Sequence, residues 1–177
     1  SGRLVASSLL KSSAVSGKRG EPQYFGQCAF TGTEVLNAEL TTSEISGRRY
    51  RIDEQVRSAV SGRAGHKREF IICHETGKQL AMAEAEQCEA TGKYVVAGIL
   101  EACAITGKRV LPSELLCCAA TGKRALRSLL GTSSVTGAHI LKEVAVRSVT
   151  GKLCAPVEAQ RCFWSGRKIH PEDLRVC

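Results

Sequence analysis

Nine cysteines and four histidines are the side chains of this 177-residue chain best able to hold a metal ion, and 25 lysines and arginines against 17 acids are those best able to meet an anion. One rule places both sets. A Ser-Gly or Thr-Gly pair recurs with its glycine at Gly2, Gly17, Gly32, Gly47, Gly62, Gly77, Gly92, Gly107, Gly122, Gly137, Gly151 and Gly166, a period of 15 with one step of 14. Four places ahead of the glycine, after one deletion just before Val149, stands a small sulfur or oxygen residue: Ser13, Cys28, Ser43, Ser58, Cys73, Cys88, Cys103, Cys118, Ser133, Ser148, Cys162 and Cys177. Directly after the glycine the residue is basic in ten of twelve units: Arg3, Lys18, Arg48, Arg63, Lys78, Lys93, Lys108, Lys123, Lys152 and Arg167. Thiolates in register are the donors of structural zinc sites, and cations in register neutralise rows of phosphates.

Self-similarity at so short a period means that each unit is one supersecondary element, obliged to stack on its neighbours to bury an apolar face. Only 5% of residues are aromatic against 43% hydrophobic, so burial is distributed along the stack. Apolar columns stand two places before the glycine (Val15, Phe30, Ile45, Val60, Ile105, Val135, Trp164), three after it (Val35, Val95, Val110, Ile140) and eight after it (Leu40, Phe70, Leu100, Leu115, Leu130). In the best-formed unit, residues 103–115, apolar alternation on both sides of Thr106-Gly107 predicts paired short strands around a glycine turn. With Thr106-Gly107 as the turn, Ile105 falls opposite Lys108 and Cys103 opposite Val110, and one buried face holds them. The segment Leu111-Pro-Ser-Glu-Leu115 predicts a single helical turn that returns the chain to the next hairpin. The expected fold is mainly β with short helical turns, a tandem array of about twelve 15-residue β-hairpin repeats over residues 1–177. The alternative is a β-solenoid with one 15-residue coil per turn, in which the Cys/Ser column stacks in parallel. Both ends fall in phase with the repeat, so a fragment of a longer polypeptide is expected.

The string C-x-x-T-G-K resembles the zinc knuckle C-x-x-C-G-K of zinc-ribbon and treble-clef modules, and it recurs along the chain. Thr or Ser stands where that knuckle carries its second ligand, and a neutral hydroxyl is a poor substitute for a thiolate. Five units carry Ser at the first ligand position too. The Cys/Ser column is therefore expected to hold small buried groups, hydrogen-bonded to the neighbouring Thr or to backbone, with no cofactor. Structural zinc is the alternative at two clusters, Cys154, Cys162, His170 and Cys177 near the end and His66, Cys73, His74 and Cys88 in the middle, neither of which contains a C-x-x-C pair. An odd number of cysteines, often replaced by Ser, predicts reduced thiols and a cytoplasmic location. No run of about 18 apolar residues occurs, so no membrane contact is expected.

Charge is uneven: the net value of +8 divides into +3 over residues 1–75, −2 over 76–102 and +7 over 103–177. Stacked units draw the cations into a stripe of the kind that tracks a polyanion. An acidic column seven places after the glycine (Glu39, Glu54, Glu69, Glu84, Glu114, Glu158, Asp173) offers a competing reading, in which the two stripes pair with each other as exposed ion ladders. Beyond residue 103 the acids are too few to neutralise Lys108, Arg109, Lys123, Arg124, Lys152, Arg167 and Lys168, and these carry the expected contact with nucleic acid. Few aromatics leave few stacking platforms, so dedicated single-strand recognition is not expected.

Two units depart from consensus, around residues 17–31 and 62–76; in the second, Gly65 and His66 occupy usually apolar columns. Repeat decay is the expected cause, and a specific contact the alternative. No enzyme is expected, because the histidines bear no relation to an activated nucleophile and the T-G-K strings lack the spacing of a phosphate-binding loop. Runs such as C-A-I-T-G-K-R-V-L-P-S-E-L and C-F-W-S-G-R-K-I-H-P-E-D-L resemble the repetitive tails of some bacterial superfamily-two, SNF2-type ATPases. That resemblance implies an accessory array that helps an ATP-driven motor grip nucleic acid or another domain of the parent chain; the motor motifs are not among these residues. The functional expectation is a non-enzymatic module that binds nucleic acid without strong sequence specificity, with a protein-interaction or spacer scaffold as the alternative.

Overall fold

In the computed structural model, which describes residues 6–176, short antiparallel hairpins alternate with three-residue 3-10 turns. Among the described residues 22 strands form eleven two-stranded sheets, each strand pairing with its neighbour in sequence. The only parallel pairing among them is an isolated bridge, Ser133 to Leu153. Contacts divide the chain into two compact units, one reaching Glu86 and including Tyr94–Ala97, the other comprising Gln87–Lys93 and the chain from Gly98 onward. Gly2, Arg3 and Cys177 of the columns above lie outside the described residues.

The Cys103 unit shows how the sequence makes one repeat. Strand Glu101–Ala102 pairs with Arg109–Val110 in the register Glu101↔Val110 and Ala102↔Arg109. The Cys103 N–H donates to the Lys108 carbonyl at 2.9 Å, and the Gly107 N–H returns to the Cys103 carbonyl at 2.8 Å. The turn is therefore wider than a two-residue Thr-Gly loop. Cys103 faces Lys108 instead of Val110, and Ile105 rides at the apex with 38% of its surface exposed, which corrects the shared buried face. Gly107 closes this turn at φ +72°, a left-handed conformation that a Cβ disfavours, and this explains why the glycine never varies. Pro112 then starts the 3-10 turn Pro112–Glu114, and the Leu115 N–H closes it on the Pro112 carbonyl before strand Leu115–Cys117 begins.

Burial follows the Cys/Ser column and the apolar columns three and eight places after the glycine, the last at Leu40, Phe70, Leu100, Leu115 and Leu130. The Cys/Ser residue and the residue three places after glycine are inside, as at Cys103 and Val110, Cys28 and Val35, and Cys118 and Ala125, all 1% exposed or less. Successive hairpins are joined by one backbone hydrogen bond from the residue after the Cys/Ser position to a carbonyl of the next hairpin: Ala29 to Arg49, Glu44 to Ala64, Ala104 to Arg124 and Ala119 to His139, each 2.8 to 2.9 Å. The irregular unit keeps the same path, with Ala64–His66 buried and paired to Gln55–Arg57.

Candidate nucleic-acid interface

The hairpin tips are sockets built around the Cys/Ser column. At Cys103, burial acts to raise the thiol pKa, but the Thr106 hydroxyl and the N–H groups of Thr106, Ile105 and Leu126 outweigh it and bring the value down to about 7. Cys28, Cys73, Cys88 and Cys118 are lowered in the same way, against burial, by the Thr three places on and by an N–H from the next hairpin. That last contact is explicit at Cys118, whose sulfur accepts the Leu141 N–H at 3.4 Å.

Serine units solve the same problem with a second residue. Ser43 Oγ accepts the N–H groups of Ile45 and Ser46 at 3.1 and 3.2 Å and donates to Glu69 Oε2 at 2.7 Å. The same Glu69 oxygen accepts the His66 N–H at 2.8 Å, at the start of the 3-10 turn Lys67–Glu69. Ser13 with Glu39, Ser58 with Glu84 and Ser133 with Glu158 repeat this arrangement, the carboxylate also taking the N–H of Leu36, Ala81 and Ala155 respectively. Hydrogen bonds from Ser13 and Ser16 hold the Glu39 carboxyl below the usual range, and Ser58 and Ser61 do the same for Glu84. At these four units the acidic residue is thus held by hydroxyls and backbone, and the ladder of the competing reading does not form there.

The basic column faces outward. Arg48, Arg63, Lys78, Lys93, Lys108, Lys123, Lys152 and Arg167 are all exposed. Of the seven candidate contacts, all in the second compact unit, Lys152 pairs with Glu172 at 2.8 Å and Arg124 with Glu101. Arg109 Nη2 donates to the Leu100 carbonyl at 3.2 Å, and Lys168 Nζ to the Pro156 carbonyl at 2.7 Å. The Lys108, Lys123 and Arg167 side chains have no hydrogen-bond or ion-pair partner among the described residues. Lys108 borders an open groove with Glu89, Glu114 and Arg127, which mixes both signs of charge.

The Cys/His clusters are not assembled: among the described residues no three His, Cys, Asp or Glu side chains converge to hold a metal ion. Of the described thiols six are buried, Cys162 is half-buried and Cys117 is exposed, and all eight are free cysteines. His66 and His170 take other work. Each accepts a backbone N–H on Nδ1, from Arg68 at 3.1 Å and Glu172 at 3.2 Å, capping the 3-10 turn that follows. Each Nε2 meets a different partner, Glu54 for His66 and Ser134 for His170. His66 also lies flat on Phe30, centroids 4.2 Å apart, and edge-on to Tyr50, so this deviant unit is an aromatic packing cluster. Cys177 lies outside the described residues.

Comparison of the chain with family models, characterised proteins and solved structures gives no match. The double role of the acidic column was missed in the sequence, although its signal is there: every Ser of the column is followed by an acid 26 residues later, or 25 where the deletion intervenes.

Proposed function

We propose that the chain is a non-enzymatic repeat module, made of hairpins like degenerate zinc knuckles, that binds nucleic acid without strong sequence specificity. The observation that supports this most is the separation of charges. Glu69 and Glu158 of the acidic column are held by serine hydroxyls and backbone N–H groups, while Lys108, Lys123 and Arg167 project to solvent without an ion-pair partner among the described residues. Exposed cations without partners release counterions on meeting phosphates, and the affinity gained is indifferent to base sequence. Attachment to an ATP-driven motor is favoured by the resemblance of the repeats to ATPase tails.

The test is equilibrium binding of labelled duplex and single-stranded DNA and RNA over a range of salt, with wild type and a variant carrying Lys108→Gln, Arg109→Gln, Lys123→Gln and Arg124→Gln. Steep loss of affinity with salt, shallower in the variant, supports a phosphate-contacting module. A scaffold for protein partners is the second reading, favoured by the apolar column left open at the tips, where Val60 and Val135 are 55% and 51% exposed. It predicts no binding of nucleic acid even at low salt.

A further inference from the structure

We propose that the tip between Cys162 and Arg167 is a stacking platform for unpaired bases, so that the strand engaged there is single; this rests on the nucleic-acid reading above. The tip carries Phe163 and Trp164 with 95% and 89% of their surfaces exposed. Their rings meet edge to face, centroids 6.2 Å apart at 88°, and such exposure leaves at least one face of each ring open. The tip itself is fixed, with the Cys162 N–H on the Arg167 carbonyl and the Gly166 N–H on the Cys162 carbonyl, both at 2.9 Å.

The exposure belongs to the position. The residues at the same two places of other tips, Ala59 with Val60 and Ser134 with Val135, also face solvent. What changes at this tip is the chemistry presented. The other aromatic in these columns, Phe30, is half-buried and covered by His66.

The surrounding charge is cationic in effect. Between residues 155 and 176 four basic residues stand against three acids; Glu172 is neutralised by Lys152, while Glu158 and Asp173 keep their charge, the first hydrogen-bonded by Ser133 and Thr136 and the second by the Val149 N–H at 2.9 Å. Arg161 and Arg167 flank the aromatics, exposed and without side-chain partners among the described residues. Open π-faces between unpaired guanidinium groups fit a strand whose bases are free to stack and whose phosphates need neutralising. A duplex offers the phosphates but keeps its base faces covered.

Trp164 is the sole tryptophan, so its fluorescence reports on this tip alone. The experiment titrates wild type with a single-stranded oligonucleotide, an abasic strand of equal length and a duplex, and measures the same ligands by anisotropy with Phe163→Ala and Trp164→Ala. Stacking predicts quenching by the base-bearing strand and not by the abasic one, and a loss of about 5- to 150-fold in single-strand affinity in Trp164→Ala with duplex affinity unchanged. Equal affinity for intact and abasic strands, with Trp164 emission unmoved, overturns the platform and leaves the phosphate-contacting reading standing. No binding of any strand at low salt overturns both. A Trp164 emission shift on anionic lipid vesicles, with no response to oligonucleotides, also overturns the proposal and assigns the tip to a lipid surface.

Discussion

Ser43 Oγ donates to Glu69 Oε2 at 2.7 Å across 26 residues of sequence, and the same carboxylate oxygen receives the His66 N–H. In Cys units the thiol meets the corresponding N–H of the next hairpin directly, as Cys118 does with Leu141, because sulfur is larger and its bond to Cβ longer. Glu is then dispensable: the residue 26 places on is Ile99 for Cys73, Leu129 for Cys103 and Val144 for Cys118. Two interchangeable solutions to one buried donor run through the repeat.

Replacing Glu84 by Leu leaves the Ser58 hydroxyl and the Ala81 N–H without their acceptor and is expected to cost about 1–3 kcal/mol. Adding Ser58→Cys converts the site to the thiol form and recovers much of that loss. Thermal denaturation of the two single variants and the double variant measures the coupling; additive effects contradict the exchange.

Acid weakens the serine units in a defined direction. Hydrogen bonds from Ser13 to Glu39, Ser58 to Glu84 and Ser133 to Glu158 lower these carboxyls from their ordinary 4.5. A depressed folded-state pKa contributes stability that is complete above the unfolded value and is lost as pH falls through the folded one. The melting temperature should therefore hold as pH is lowered towards 4.5 and fall below it, with the fall reduced in Glu84→Gln.

The Tyr50 hydroxyl is buried without a hydrogen-bond partner among the described residues, beside Phe30 and His66. Tyr50→Phe keeps the ring and removes the unsatisfied group, so it should leave stability unchanged or raise it by about 1–3 kcal/mol. A drop in melting temperature would show that the hydroxyl has a partner in solution.

Gly107 sits at φ +72° with nothing within 4 Å of where a Cβ would stand, so Gly107→Ala tests conformation alone. It should destabilise by about 1–2 kcal/mol, read as a lower melting temperature with an unchanged circular dichroism spectrum in the cold.

Much of the repeat was legible because its determinants are local. The glycine of each tip, the proline at Pro112 and the period-two alternation each act within a few residues, and they give the hairpins and 3-10 turns seen. The register at Cys103 was not, because a wider turn preserves the same alternation while shifting each partner. Glu69 was read as a surface charge because its partner Ser43 belongs to another hairpin, and only stacking brings them together. His66 looked like decay in an apolar column; its ring is apolar enough to stack on Phe30 while its nitrogens bond Arg68 and Glu54.

The most direct test of nucleic-acid binding is the slope of log affinity against log salt for duplex DNA, compared between wild type and a variant with Lys108→Gln, Lys123→Gln and Arg167→Gln. If these unpaired cations neutralise phosphates, the slope falls in magnitude by about 2 to 3 in the variant. An unchanged slope, or no measurable binding by wild type at low salt, would contradict it.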